Sequence, residues 1–159
     1  MAYTAHPVKI SDAHGLSNAM MRAYYEDPHW RLVWRDMSLE KIIDGTEKRL
    51  PWNLINGRDT KRHQKVVAEE SGETVGYVRW ILLNNCPISW SEAQVAEASE
   101  EEKKWCKEQW ETAVENGRSK GVYHEMTAAM GGALEDAENA IVGKEPYLCE
   151  FYRHLGNTI

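Results

Sequence analysis

The spacing of apolar residues predicts a strand and a helix at the start of the chain. Residues 8–10 are predicted to form a short strand, after which apolar positions recur every three or four residues. This is the spacing of one helix face. That face contains Leu16, Ala19, Met20, Ala23 and Tyr24. Ser11 or Asp12 can cap this helix, and Asp27-Pro28 is predicted to end it.

A loop with two tryptophans, Trp30 and Trp34, is predicted between this helix and the next. The second helix is predicted to begin near Ser38, because a serine hydroxyl accepts a hydrogen bond from the free N–H groups of a helix start. Its apolar face contains Leu39, Ile42, Ile43 and Leu50. Pro51 lacks a backbone N–H, so it is predicted to end or reshape this helix.

The apolar pattern then changes to the alternation that is typical of strands. Residues 64–69 alternate between two faces, and a second alternating run covers residues 74–83. Ser71-Gly72 between the two runs predicts a turn, so the runs are predicted to form a hairpin. Both faces of the second run are largely apolar, as in a central strand that is covered on both sides.

The clearest helix signal follows at Ser99. Ser99 and Glu102 have the spacing of a capping box, and the acidic residues of the first turn suit the positive end of the helix dipole. Asn116-Gly117 is predicted to end this helix. Its predicted buried stripe consists of Cys106, Trp110, Ala113 and Val114.

The last part of the chain predicts one more helix and one more strand. Residues 123–141 are predicted to be helical, although two adjacent glycines weaken the pattern, and residues 147–152 are predicted to form a strand. Neither a repeat nor a low-complexity linker divides the sequence, so residues 1–159 are predicted to form a single domain. A chain of this length buries roughly 68–70% of its unfolded surface, so its core needs no disulfide or metal.

Composition and charge exclude several classes of protein. The chain has 42% hydrophobic and 28% charged residues and a formal net charge of −6. The negative charge disfavours nucleic acid and anionic membranes as partners and favours a small or basic substrate. The sequence has neither a signal-peptide pattern nor an apolar run of the roughly 20 residues that span a membrane. An intracellular protein, cytoplasmic or nuclear and not secreted, is therefore expected.

Motifs for metal binding and for nucleophilic catalysis fail at defined positions. His124-Glu125 is followed by Ala128, where a zinc protease has its second histidine. The sequence also lacks the spacing of a phosphate-binding P-loop and the G-x-S-x-G pattern of a serine nucleophile. The widely separated cysteines are predicted to be free thiols, and no metal site is predicted. These cysteines are Cys86, Cys106 and Cys149.

One locally basic stretch, RDTKRHQK at residues 58–65, precedes the predicted hairpin. One interpretation is that its charges keep a loop and a strand start soluble; the other is that they form a rim that binds an anion. Because no aromatic residues are interleaved with these charges, the stretch does not favour binding to nucleic acid.

The predicted order of elements and several segments together resemble the GNAT superfamily of acetyl-CoA-dependent N-acetyltransferases, in particular its fungal members. The order is a strand, two helices, a hairpin, a helical insertion around residues 99–140 and a further strand. The segments that carry the resemblance are VKISDAHGLSNAMMRAYYEDP, RLPWNL, RDTKRHQKVVAE and KVVAEESGETVGYVRW. The resemblance covers the first half of the chain and resumes at Tyr147-Leu148.

This resemblance implies an α+β fold with a mixed or antiparallel sheet flanked by helices. In this family the sheet opens at its fourth strand, and a glycine-containing loop and helix N-terminus there bind the pyrophosphate of acetyl-CoA. On this chain the loop implies Arg153, Leu155 and Gly156 as cofactor-binding residues. Thr158 stands where the family has Gly or Ala, and Ile159 is the last residue. We therefore expect a fold that is incomplete at its C-terminus, truncated at the acetyl-CoA-binding motif.

The resemblance also implies a binding site for a primary amine. We expect this site between the first two helices and the hairpin, with Tyr25 and Trp30 as substrate-binding residues. Tyr24 lies on the predicted apolar helix face and is interpreted as part of the core. The catalytic acid and base are unknown. Candidates for the base are Glu26, Asp27, His29 and Tyr77.

Two functions are compatible with these features. The first is an N-acetyltransferase that uses acetyl-CoA as cosubstrate and acts on a small-molecule or peptide amine. The second is a noncatalytic α+β interaction module derived from an acyltransferase, either stable by itself or completed by a partner. A sheet that ends at its fourth strand has an unpaired edge, so self-association is also expected.

Overall fold

The fold is of the mixed α+β class, as the sequence predicts. The computed structural model describes residues 2–82, 90–129 and 131, together with the backbone of residues 149–151. In chain order the elements are β1 (Tyr3–Pro7), α1 (Ala13–Tyr25), α2 (Pro28–Val33), α3 (Leu39–Ile55), β2 (Lys61–Ala68), β3 (Thr74–Ile81), α4 (Glu100–Thr112), β4 (Val114–Glu115), β5 (Arg118–Ser119) and β6 (Cys149–Phe151). Two 3-10 turns, Ile10–Asp12 and Ser91–Ala93, and a helical segment at residues 124–129 complete the described elements.

The main sheet is antiparallel, with the spatial order β1-β2-β3-β6. The predicted hairpin is formed by β2 and β3, whose register pairs His63 with Arg79. Gly72 in its turn has φ +70°, a conformation that glycine adopts without strain. β6 pairs with β3, so β3 is a central strand, as predicted. The predicted self-association through an outer strand stays a prediction.

The first strand lies earlier than the sequence predicts. β1 pairs with β2, and all five of its side chains are exposed. This edge strand therefore has no buried face, and residues 8–10 do not belong to it. Val8 is only 2% exposed and enters the core instead. The backbone N–H of Lys9 donates to Oδ2 of Asp12 at 2.8 Å, and this contact closes the 3-10 turn that leads into α1.

The segment that is predicted as a loop with tryptophans contains helix α2. Oδ1 of Asp27 accepts hydrogen bonds from the backbone N–H groups of His29 at 2.8 Å and of Trp30 at 3.4 Å. Pro28 occupies the first position of α2, where a backbone N–H would have no partner inside the helix. Asp27-Pro28 therefore follows α1, as predicted, and also begins the next helix.

α3 begins after Ser38, as predicted, but it does not end at Pro51. The hydroxyl of Ser38 accepts a hydrogen bond from a backbone N–H of the first turn. Pro51 lies inside the helix and removes one of its hydrogen bonds. Its ring is buried beside Leu50 and Leu54. The burial of these apolar side chains outweighs the loss of that hydrogen bond.

α4 begins at the predicted capping box and ends earlier than predicted. Ser99 Oγ accepts from the N–H of Glu102 at 3.2 Å, and Glu102 Oε2 accepts from the N–H of Ser99 at 2.9 Å. The helix ends at Thr112, and Asn116 and Gly117 form the turn between β4 and β5. Their φ angles of +51° and +75° are those of a two-residue hairpin turn, for which Asn-Gly is a favoured sequence.

Replacing Ser99 with alanine is expected to lower the free energy of unfolding by about 1 kcal/mol, because alanine lacks the hydroxyl that accepts from the N–H of Glu102 and keeps only the backbone N–H that donates to Glu102. Urea denaturation followed by tryptophan fluorescence measures the change. Ser91→Ala is the matched control, since Ser91 is exposed and lies outside the α-helices. Equal midpoints for the two variants would show that the cap contributes nothing measurable.

Two adjoining apolar clusters form the core. The larger cluster joins α1, α3 and α4, and its buried members are Val8, Ala13, Leu16, Leu50, Leu54, Ile55, Val95, Ala98 and Cys106. The smaller cluster contains Met21, Trp34 and Ile42, from α1, the end of α2 and α3. Met20 packs against both clusters, so they are continuous. In the part of the chain that the structure describes, no helix is both long and apolar enough to cross a bilayer.

The predicted stripe of α4 is partly confirmed. Cys106 and Ala113 are buried, Trp110 is half-buried, and Val114 belongs to β4 rather than to the helix. Cys106 is a free thiol, as predicted, and burial raises its pKa. Cys86 and the side chain of Cys149 lie outside the described residues.

Candidate functional site

A cavity of about 250 Å³ lies between helices α1, α2 and α3 and the β2-β3 hairpin. Pockets for drug-sized ligands usually measure about 300–1,000 Å³, so this cavity suits a smaller molecule. The apolar part of its wall consists of Met20, Met21, Tyr24, Trp30, Trp34 and Leu50. The polar part consists of Thr46, Arg49, Asn53, His63, Tyr77 and Arg79.

The hairpin brings His63 and Tyr77 together in the polar part of the wall. His63 lies opposite Arg79, and Tyr77 is two residues before Arg79, so alternation places all three side chains on one face of the sheet. The helices cover this face. Nδ1 of His63 and the hydroxyl of Tyr77 are 2.7 Å apart, which is a short hydrogen bond.

His63 is neutral at pH 7 and has a ring nitrogen without a partner. Burial, and then the positive charges of Arg79, Lys61 and Arg62, lower the pKa of His63 from 6.5 to about 4. His63 is only 1% exposed, and its Nε2 has no hydrogen-bond partner among the described residues. A buried polar atom without a partner destabilises a fold by about 1–3 kcal/mol. A ligand that bonds to Nε2 would recover this energy.

Arg49 brings a guanidinium group to the same cavity from α3. Its Nη2 donates to Oγ1 of Thr46 at 3.0 Å, and the guanidinium lies 5.8 Å from the centre of the Trp34 ring. Burial lowers the pKa of Arg49 below its usual range, but an arginine remains charged in a protein. Within the described part of the chain, Arg49 has no carboxylate partner. The cavity can therefore offer this cation to an anionic ligand group.

Aromatic rings form much of the apolar part of the wall. The rings of Tyr24 and Trp30 are stacked, with their centres 5.7 Å apart, and the centre of the Trp34 ring lies 5.7 Å from that of Trp30. Tyr24 packs against the smaller core cluster and also lines the cavity. Its interpretation as a core residue is thus correct as far as packing goes, but it leaves out the contact with the cavity.

The two predicted substrate-binding residues lie in different places. Trp30 lines the cavity. Tyr25 lines a second, more open depression along α2, where the guanidinium of Arg31 lies 4.9 Å from the centre of its ring. The structure therefore brings Trp30 to the cavity and Tyr25 to a neighbouring surface. The binding of a substrate to either residue stays a prediction.

One of the four candidate bases, Tyr77, lines the cavity. Asp27 is used to cap α2, and the hydrogen bond from the backbone of His29 is the largest cause that lowers its pKa. The side chain of His29 is 79% exposed and lies 3.4 Å from Oδ1 of Asp27. Glu26 is exposed at the end of α1. Their positions therefore favour Tyr77 over the other three candidates.

Sequence reasoning missed Arg49 as a site residue and considered His63 only as part of the basic stretch at residues 58–65. The alternation of β2 could have predicted the face of the sheet on which His63 lies, because residues two apart on a strand share a face. The register of the hairpin then places that face beside Tyr77. Arg49 carried no comparable signal. It reaches the cavity because α3 packs over the sheet, and this packing is not a property of any short segment.

The basic stretch at residues 58–65 is mainly structural. Nε of Arg58 donates to the carbonyl of Val95 at 2.8 Å. Arg62 is only 4% exposed and donates to three backbone carbonyls, one of which belongs to Trp90. These two arginines attach the segment around residues 90–95 to β2. Both interpretations from the sequence, charges that keep a loop soluble and an exposed rim that binds an anion, are therefore wrong for these two arginines.

Other kinds of site have less support. Among the residues that the structure describes, no group of three or more His, Cys, Asp or Glu side chains could hold a metal ion. Arg153, Leu155 and Gly156 lie outside the described residues, so the acetyl-CoA loop stays a prediction. Comparison of the chain with protein-family models, with curated proteins and with solved structures found no match.

Proposed function

We propose that this protein is an acetyl-CoA-dependent N-acetyltransferase of the GNAT type, and that the acceptor amine binds in the cavity beside His63 and Tyr77. The observation that carries the proposal is the neutral, buried imidazole of His63, with one ring nitrogen bonded to Tyr77 and the other without a partner. The strand order β1-β2-β3-β6, with three helices between β1 and β2, supports the resemblance in sequence.

The charge of the cavity favours the reactive form of an amine. Acetyl transfer needs a neutral amine nitrogen, because a protonated nitrogen has no lone pair for attack. Among the residues that the structure describes, the wall contains the cations Arg49 and Arg79 and no Asp or Glu. Nearby positive charge lowers the pKa of an amine, so a bound amino group loses its proton more readily here than in water.

His63 and Tyr77 can assist the transfer in either tautomer of the imidazole. If Nδ1 of His63 donates to Tyr77, Nε2 has a lone pair and can accept a proton from the amine. If the hydroxyl of Tyr77 donates to Nδ1, Nε2 carries a hydrogen and can stabilise an oxyanion. In the reaction the nitrogen attacks a carbonyl carbon, a C–N bond forms as a C–S bond breaks, and the sulfur leaves as a thiolate. The nitrogen gives up a proton to a base such as Nε2 of His63, and the thiolate takes up a proton to become a thiol. Acetyl-CoA, when bound, supplies the acetyl group as a thioester.

Isothermal titration of the full chain with acetyl-CoA is expected to give saturable heat of binding, and free CoA is expected to compete with it. ADP at the same concentration is the matched control, because it shares the adenine and the diphosphate but lacks the pantetheine arm. The absence of heat and of competition at millimolar acetyl-CoA would contradict the proposal.

A second measurement separates the two functions that the sequence leaves open. Thiol release from acetyl-CoA is followed with a panel of amines, where an acetyltransferase gives amine-dependent release. Binding of CoA or of an amine without any thiol release would instead favour the noncatalytic module.

A further inference from the structure

The cavity and the whole chain have charges of opposite sign. The chain carries a formal net charge of −6, whereas the charged residues among the described residues of the cavity wall are Arg49 and Arg79. A ligand whose only charged group is an ammonium would be repelled by the guanidinium of Arg49. A ligand that also carries a carboxylate would be neutral overall and would place an anion where the cavity offers a cation.

We propose that the ligand of this cavity is a free amino acid with an apolar or aromatic side chain, whose carboxylate binds Arg49 and whose amino group lies near Nε2 of His63. This inference rests on the proposed function, because it names the class of amine that would be acetylated. It replaces the basic substrate that the net charge of the chain favours.

Arg49 is suited to bind a carboxylate. A guanidinium group presents its N–H donors in a fixed fork that matches the two oxygens of a carboxylate. The bond from Nη2 to Thr46 fixes the orientation of this fork and leaves further N–H groups of Arg49 without a described partner. Because Arg49 has no carboxylate partner in the described part of the chain, the ligand would not have to displace one.

Nε2 of His63 is an independent sign that the cavity is built for a ligand. His63 is 99% buried, since its exposed fraction is 1%, and Nε2 has no partner among the described residues. Most buried polar atoms in proteins are hydrogen-bonded, so an exception calls for an explanation. A ligand amino group in the cavity would satisfy Nε2, as a donor or as an acceptor according to the tautomer of His63.

The apolar wall and the volume determine the rest of the ligand. Trp30, Trp34 and Met20 present rings and a thioether to the cavity, and these surfaces suit an apolar or aromatic side chain. At about 30 Å³ for each water, a cavity of about 250 Å³ holds roughly eight water molecules. That volume is close to the size of one amino acid and is too small for a peptide of several residues.

The test compares two ligands that differ only in the carboxylate. L-Phenylalanine and phenethylamine are titrated separately into the full chain, and their dissociation constants are measured by calorimetry. We expect phenylalanine to bind about 10- to 100-fold more tightly, which is the range for hydrogen bonds to a charged group. Acetyl-CoA is left out of this titration, so the result does not depend on acetyl transfer.

Three variants assign the preference to Arg49. Arg49→Leu should remove the advantage of phenylalanine without weakening the binding of phenethylamine, because it removes a cation that repels an ammonium. Arg49→Lys should retain part of the advantage, because lysine keeps the charge without the fork. Arg22→Leu is the matched control: Arg22 is exposed on α1, lies outside the cavity wall and loses the same charge. If Arg49→Leu does not fold, Arg49→Lys still tests the inference by a reduced preference.

Each outcome has one meaning. The inference is overturned if neither ligand binds at millimolar concentration, if phenethylamine binds as tightly as phenylalanine, or if the preference survives unchanged in the Arg49 variants that fold. Thiol release separates this failure from that of the proposed function. If phenylalanine binds through Arg49 without thiol release, the proposed acetyltransferase activity is contradicted, and the proposal that the ligand is an amino acid still holds. If thiol is released with amines that lack a carboxylate, and the release does not depend on Arg49, the proposed acetyltransferase activity still holds and the proposal of an amino acid ligand is contradicted.

Discussion

Replacing Arg62 with methionine is expected to lower the free energy of unfolding by about 3 kcal/mol. Arg62 is 4% exposed, and methionine fills part of its volume without its donors. Nε of Arg62 donates to the carbonyl of Trp90 at 3.0 Å, and Nη1 donates to the carbonyls of Arg58 at 2.6 Å and Lys61 at 2.8 Å. Removing a donor from a buried carbonyl costs about 1–3 kcal/mol.

The loss is expected to be unequal among the three carbonyls. The carbonyl of Arg58 also accepts a hydrogen bond from Nε2 of Gln94 at 2.9 Å, so it keeps one partner in the variant. The carbonyl of Trp90 likewise keeps the hydrogen bond from the backbone N–H of Ala93 at 3.2 Å, so the largest loss is expected at the carbonyl of Lys61. Arg62→Lys should be intermediate, because one ammonium group has no planar fork with which to replace both Nε and Nη1.

Urea denaturation followed by tryptophan fluorescence measures the effect of Arg62→Met. Arg22→Met is the matched control, since Arg22 is exposed and surface substitutions usually change stability by less than about 0.5 kcal/mol. A midpoint for Arg62→Met as high as that for Arg22→Met would show that the three carbonyl contacts do not stabilise the fold. This result would also contradict the conclusion that the basic stretch at residues 58–65 is mainly structural.

Local sequence patterns predict much of this fold because helix caps and strand alternation depend on interactions between neighbouring residues. The alternation of β2 and β3, the cap at Ser38 and the capping box at Ser99 each depend on residues within one turn or one strand pair. They are found where predicted. Asn116-Gly117 shows the limit of such signals, since the same pair suits a helix end and a hairpin turn. In this protein the pair forms a hairpin turn, because α4 has already ended at Thr112.

The features that sequence reasoning missed depend on contacts between distant segments. β1 has no buried face and is a strand because β2 offers it hydrogen-bonding partners. Pro51 stays inside α3 because the core buries its ring. Arg49 and His63 are fourteen positions apart and meet at one cavity only when α3 packs over the hairpin. Of the predicted site residues that the structure describes, Trp30 lines this cavity and Tyr25 does not.

Acidification is expected to destabilise the wild-type protein through His63, by up to about 3 kcal/mol relative to a variant without this imidazole. Burial, with Arg79, Lys61 and Arg62 next in order, lowers the pKa of His63 from 6.5 to about 4 in the folded state. In the unfolded chain the imidazole is solvated and takes up a proton near pH 6.5. The folded protein therefore keeps His63 neutral over a range in which the unfolded chain is protonated.

The direction of the effect follows from this difference in proton uptake. Between about pH 6.5 and pH 4 the unfolded state binds one more proton than the folded state, so lowering the pH favours unfolding. The contribution is absent above about pH 6.5, approaches about 1.4 kcal/mol per pH unit within the interval, and levels off below pH 4, where both states are protonated.

His63→Phe isolates this contribution. The variant keeps a ring at the buried position and lacks the titrating group, and its lost hydrogen bond to Tyr77 changes stability by an amount that is constant over this interval. Free energies of unfolding are measured in urea at several pH values from 4 to 7.5, and the difference between wild type and variant is plotted against pH. His6→Gln is the matched control, since it removes an exposed imidazole from β1. If the difference in stability between wild type and His63→Phe does not vary with pH, His63 is not held neutral in the folded protein. The proposed acceptor site, which depends on a neutral imidazole, would then be contradicted as well.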